Sequence, residues 1–152
     1  MSRLQAVLDV SDFLSDLPSD LKSTLGYSKD SDTEQWYTVF APTNNAWRKA
    51  KHGLNKSLIE ALARNHVLDR MICSGAITRN SNFCGPNWAD SCLSMGVKPS
   101  GTKYVVDRCG SEASILKPDL MARNGVVHVI DGVIFSPECE FLKVANKNEK
   151  KI

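Results

Sequence analysis

Five cysteines and three histidines are the side chains of this sequence with the most chemistry to offer. The cysteines stand at Cys73, Cys84, Cys92, Cys109 and Cys139, and no two have the C-x-x-C spacing of zinc sites or redox dithiols. That argues against a bound metal. Disulfides and hence an oxidising compartment are the favoured reading, with buried reduced thiols in the cytosol as its alternative. An odd count leaves one thiol free or joined to something outside the chain. Cys84 with Cys92 is the expected pair, because the intervening GPNWADS holds Gly85 and Pro86 and reads as a loop that a short bridge closes. The pairing of Cys73, Cys109 and Cys139 stays open.

Catalysis fares poorly. Cys73 and His66 lie in one stretch and are the types a thiol nucleophile and its base would use, yet no orienting partner or oxyanion loop accompanies them. The motifs G-x-S-x-G, H-E-x-x-H and the phosphate loop are absent. The chain is therefore read as a non-enzyme with no cofactor. His66 falls beside core positions of a helical pattern and His128 inside an apolar run, so both read as buried, hydrogen-bonded residues, while His52 beside Gly53 reads as exposed. Asn55-Lys56-Ser57 is the single glycosylation sequon, placed in a turn ahead of a helix where Asn55 can carry a glycan.

The elements that must position these groups mix helices and strands. Leu4, Val7, Leu8, Phe13, Leu14 and Leu17 have helical spacing up to Pro18, with a second short helix from Ser19 toward Leu25 and an exposed acidic loop over 28–35. Trp36 through Phe40 is rich in aromatic and β-branched residues and predicts a strand; Pro42 stops it and Thr43 caps a helix from Asn44. Ser57 and Glu60 form a capping box for a helix over 57–71 with its core face at Leu58, Ile59 and Leu62. A loop-rich middle follows, then a hairpin of Tyr104-Val105-Val106 with Ser114-Ile115-Leu116. After Lys117-Pro118, Asp119 caps one helical turn through Ala122 that closes at Asn124-Gly125. The residues over 126–135 are apolar on both alternating faces and predict a strand buried on both sides, the centre of an α+β fold.

Size and charge bound the rest. At 152 residues, with 42% hydrophobic and 24% charged residues, the chain has the composition of one packed domain. The domain is placed at 1–142. The last ten residues form a basic tail or linker, where Lys143, Lys147, Lys150 and Lys151 gather. A net charge of +2 from 19 basic and 17 acidic side chains excludes the strong basic bias of nucleic-acid binders. No stretch approaches the roughly 20 apolar residues of a membrane span, and the first residues mix Asp and Ser into apolar positions, unlike a signal peptide. An extracellular reading therefore expects a leader, anchor and neighbouring domains elsewhere in a parent chain.

Two segments carry a resemblance. Tyr37-Thr38-Val39-Phe40-Ala41-Pro42-Thr43-Asn44-Asn45-Ala46-Trp47 resembles the first motif of the fasciclin-like domain family, with Trp47 where Phe is usual. Asn124 through Ile134 (NGVVHVIDGVI) resembles its closing motif almost residue for residue, and Asn65-His66-Val67 is similar to its Tyr-His pair with Asn65 replacing Tyr. The likeness covers about residues 36 to 137, and the first 35 residues match as a helical lead-in that lacks part of the usual first helix. The resemblance implies a wedge of two β-sheets with several short helices, and a secreted or surface-anchored adhesion protein that binds matrix proteins or an integrin-like receptor; the loop from Cys73 to Cys92 departs from the plainest family pattern. Asp119 and Leu120 fall where the family's Asp-Ile recognition peptides lie. There Asp119 would complete the coordination of a divalent cation on the receptor while Leu120 adds apolar contact. A structural spacer in a multidomain matrix or surface protein, tied to a neighbour through the unpaired cysteine, is the alternative function.

Overall fold

The computed structural model describes residues 9–19, 36–68, 70–78, 81–84, 92–107, 110–122 and 125–135, and at 81–84, 92 and 122 the backbone alone. In chain order the elements are α1 (Ser11–Ser15), β1 (Tyr37–Pro42), α2 (Asn44–Lys51), α3 (Lys56–Arg64), β2 (Val67–Leu68), a 3-10 turn (Ser74–Ala76), β3 (Ser81–Cys84), β4 (Cys92–Val97), β5 (Lys103–Val106), β6 (Glu112–Ala122) and β7 (Gly125–Ile130). The fold is α+β, as expected. The strands form one ladder in the order β2-β1-β7-β6-β5-β4-β3. Only β1 and β7 are parallel, from Tyr37 opposite Gly125 to Pro42 opposite Ile130.

The long strand β6 explains why one ladder behaves as two sheets. Its first residues, Glu112 to Ser114, pair with β5, whereas Ile115 onward pairs with β7. Phe40, Leu68 and Ile130 from one half then meet Leu93, Met95 and Val105 from the other in a single buried cluster. The opposite face of β1 and β7, with Val39, Ala41 and Val129, packs on Phe13, Trp47 and Leu62 from the helices. β1 and β7 are thus covered on both faces, which is why their sequences carry apolar residues at both parities.

The helices are fixed by specific polar contacts. Thr43 caps α2 by accepting from the Ala46 N–H at 3.3 Å, as its position predicts. Asp16 accepts from Trp47 Nε1 at 2.8 Å and from Lys51 at 2.7 Å, and Asp12 from Arg48 at 2.5 Å, tying α1 to α2. Phe13 meets the Trp47 ring edge to face at 5.2 Å.

Several expectations need correction. The cap of α3 is Asn55, whose side chain accepts from the Leu58 N–H at 2.9 Å, and not Ser57. The helix ends at Arg64 because the chain must turn for Val67 and Leu68 to pair with β1; Leu62 is buried and Ile59 packs on the core as expected, but Ala63 takes the place of Leu58, which is exposed. Residues 119–122 are strand and no helical turn: β7 offers them a hydrogen-bonding edge, and tertiary pairing outweighs the local cap signal. Gly125 closes no helical turn; it is the first residue of β7, paired with Ala122 of β6, and a Cβ there would sit 2.0 Å from the Tyr37 carbonyl oxygen, so the close approach of β1 excludes a side chain. The middle contains β3 and β4, whose signal was the alternation of Leu93 and Met95 with Ser94 and Gly96.

The apolar run over 126–135 is a strand only to Ile130. Beyond it side chains satisfy the buried backbone: His66 Nε2 accepts from the Ile134 N–H at 2.9 Å, Asp107 from the Phe135 N–H at 2.7 Å, and Asn65 donates to the carbonyls of both. The hairpin of Tyr104 with Ser114 is as predicted. The first predicted helix is described from residue 9 on and is helical over Ser11–Ser15; its residues 4–8, the second helix beyond Ser19, the loop over 28–35, Cys109, Cys139 and the basic tail lie outside the described residues.

Candidate functional site

Asp119 stands in a bulged stretch of β6, inside the register shift between Lys117 and Leu120, and has φ of 58°. It is the only non-glycine residue at positive φ among those described, a conformation that costs of order 1 kcal/mol and persists only where surroundings enforce it. Three partners enforce it. The Asp119 N–H donates to Nδ1 of His128 at 3.1 Å, one carboxylate oxygen accepts from the Ser74 N–H at 2.7 Å, and the other accepts from the Ser74 hydroxyl. Lys103 donates to the Ser74 carbonyl from the other side. Asp119 therefore anchors the 3-10 turn across the sheet instead of capping a turn of its own.

Burial alone would raise the carboxyl of Asp119, but the two Ser74 hydrogen bonds and the nearby positive charge outweigh it and hold its pKa below the usual carboxylate range. His128 is lowered by burial, against the opposing pull of its bond to Ile72 and of Asp119. Its Nε2 donates to the Ile72 carbonyl at 2.6 Å, which fixes Nδ1 as the acceptor, and its ring stacks on Phe40 at 5.5 Å.

Neighbouring side chains alternate in exposure. Leu116 and Met121 are 51% and 45% exposed and Pro118 is exposed, whereas Leu120 is half-buried against the helix-side core. Asp119 and Leu120 are thus adjacent in sequence but serve different surroundings. Ser74 and Lys103 complete the arrangement from distant parts of the chain and His128 from the neighbouring strand β7, nine residues on, and no local sequence signal links them to Asp119. His66 is fully buried, with Nδ1 donating to the Leu62 carbonyl at 3.0 Å and Nε2 taken by Ile134, so it has no ring nitrogen to give Cys73. Cys73 is half-buried and unbridged. No group of three or more metal-ligating side chains occurs among the described residues, and none of their helices is long and apolar enough to cross a membrane.

With this geometry established, a family model described as Fasciclin domain matches residues 8–137. The chain belongs to the fasciclin domain family. This fasciclin domain is similar to human periostin, 27% identical over 96% of the chain, and to the uncharacterized protein sll1735 of Synechocystis, 31% identical over 64% of it. It spans 17% of periostin and 71% of sll1735. Among solved structures, a domain pair of the insect cell adhesion molecule fasciclin I matches with a TM-score of 0.66 over 90% of this chain and 47% of that one, at 19% identity, a likeness of fold.

Proposed function

We propose that this domain is an extracellular cell-adhesion or matrix-binding module, recognised by an integrin-like receptor or a matrix protein through the bulged segment of β6 that includes Asp119 and Leu120. The observation that carries the reading is the pair of exposed apolar side chains, Leu116 and Met121, flanking an exposed Asp119 in a strand paired on both sides. Similarity to a molecule named for cell adhesion supports the class. In this reading Leu116, Pro118 and Met121 make the first contact. Asp119 reaches a receptor cation by exchanging its Ser74 bonds for the metal, and Leu120 keeps the bulge seated on the core. Asn55 is the glycan acceptor: its Oδ1 is the cap acceptor, and an N-linked sugar attaches through the amide nitrogen and leaves that bond in place.

The test is cell attachment to the purified, oxidised domain, comparing the intact protein with Asp119→Ala and Ser74→Ala, each with and without a divalent-cation chelator. Attachment lost on chelation and in Asp119→Ala but kept in Ser74→Ala is expected, because removing the serine hydroxyl frees one carboxylate oxygen for the receptor while the Ser74 N–H still holds the other. Equal loss in both folded variants would show that the clamp, not the carboxylate, matters. No attachment by the intact domain would favour the spacer role.

A further inference from the structure

β3 is the last strand of the ladder. Among the described residues it has one neighbour and four paired positions, Ser81 opposite Met95 through Cys84 opposite Cys92. An edge strand held by so short a ladder is the part of a sheet that opens first and offers its free side to other chains. Its final pair is a cysteine facing a cysteine across the antiparallel ladder, just before the connection over 85–91. Directly opposed residues in such a ladder have Cα atoms about 4.5–5.5 Å apart, inside the roughly 4.4–6.8 Å span that a disulfide bridges without moving the backbone. β4 itself cannot slip, because it pairs with β5 from Ser94 to Val97 and buries Leu93 and Met95 in the shared core, so it presents Cys92 to the edge strand at a fixed place.

We propose that Cys84 and Cys92 form a disulfide that closes the β3–β4 hairpin and pins the edge strand. The competing thiol of Cys73 is unbridged and lies at the head of the 3-10 turn that Asp119 and Lys103 hold against β6 and β5. The oxidant is an external disulfide of the glutathione class. One cysteine thiolate attacks it and expels a glutathione thiolate, and the second cysteine then attacks the mixed disulfide and expels the other. Two thiols of the protein become one S–S bond, while the two electrons and two protons leave with two molecules of glutathione. The proposal is independent of what the domain binds.

Trypsin provides a direct test. Cleavage after Arg79 and Lys103, with Lys98 protected by Pro99, yields the fragment 80–103, which contains Cys84 and Cys92 and no other cysteine. The full chain is equilibrated with a glutathione redox buffer, alkylated under denaturing, non-reducing conditions, digested and weighed. The expected fragment carries no alkyl group and is lighter by two hydrogen atoms than the reduced form. In a Cys73→Ser chain, which keeps both hairpin cysteines, the result is unchanged. Alkylation of both cysteines, or a fragment 80–103 joined to a peptide bearing Cys73, Cys109 or Cys139, overturns the proposal.

Discussion

The backbone N–H of Asp119 points at Nδ1 of His128, 3.1 Å away, while Nε2 of the same ring donates to Ile72. His66 repeats the arrangement with its nitrogens exchanged, Nδ1 donating to Leu62 and Nε2 accepting from Ile134. Each ring is held as one neutral tautomer that stitches two distant backbone segments together. A second ring proton would confront a backbone N–H in either case.

Acid should therefore unfold this domain through its histidines. Burial, partly opposed by bonds to the backbone at Leu62 and Ala63, pushes His66 from 6.5 down to about 3, and His128 is lowered too. The unfolded chain then binds protons that the folded chain refuses, so the stabilisation is complete above about pH 6.5 and is lost as pH falls below it. At about pH 5, His66 alone should cost about 2 kcal/mol. Urea midpoints measured near neutrality and near pH 5 should differ accordingly, and coincident midpoints would refute the assignment of neutral buried rings.

Thr38 is buried, and its hydroxyl donates to the Arg70 carbonyl at 2.6 Å while accepting from the Ile72 N–H at 2.7 Å. Thr38→Val keeps the shape and strands two backbone groups. A loss of about 1–3 kcal/mol is expected in equilibrium unfolding. A neutral result would mean that water replaces the hydroxyl and that the segment over 70–72 is less firmly attached than its geometry implies.

What was legible in the sequence was what local pattern determines. The strand read over Trp36 to Phe40 is there as Tyr37–Pro42, with Pro42 inside it rather than ending it, and Thr43 as a cap and the apolar run from Val126 as the fold's centre were legible, because β-branched content, cap chemistry and double-faced burial leave local marks. Asp119 was misplaced for a physical reason. Its local signal is a helix cap, but the edge of β7 and the Ser74 backbone, 45 residues away, compete for the same segment and win. Ser57 and Glu60 had capping-box spacing, yet Asn55, two residues earlier, took the cap. The partners of the candidate site, Ser74, Lys103 and His128, are joined only by topology, and one sequence carries no trace of that.

Gly125 should be irreplaceable. The position of an added Cβ, 2.0 Å from the Tyr37 carbonyl oxygen and 2.8 Å from its carbon, is occupied by backbone that itself belongs to the central parallel pair. Gly125→Ala must push β1 away from β7 and should cost about 4 kcal/mol or more, the range reserved for core disruption. The control is Gly75→Ala in the 3-10 turn, where an added Cβ meets nothing within 4 Å. If thermal unfolding moves equally little for both, the close approach of the two strands is wrong.

Asn55 separates two accounts of how α3 begins. If Ser57 and Glu60 capped the helix, Ser57→Ala would destabilise and Asn55→Ala would not. The Oδ1 of Asn55 accepts from the Leu58 N–H at 2.9 Å and Asn55 has an extended backbone, so the reverse is expected. Asn55→Ala should lose about 1 kcal/mol. Asn55→Asp should keep the cap and gain slightly from a negative charge at the helix N-terminus, while Ser57→Ala, exposed inside the helix, should be close to neutral. Chemical denaturation of the three variants decides it. Stability that falls with Ser57→Ala but not with Asn55→Ala would return the cap to Ser57 and move the start of the helix downstream.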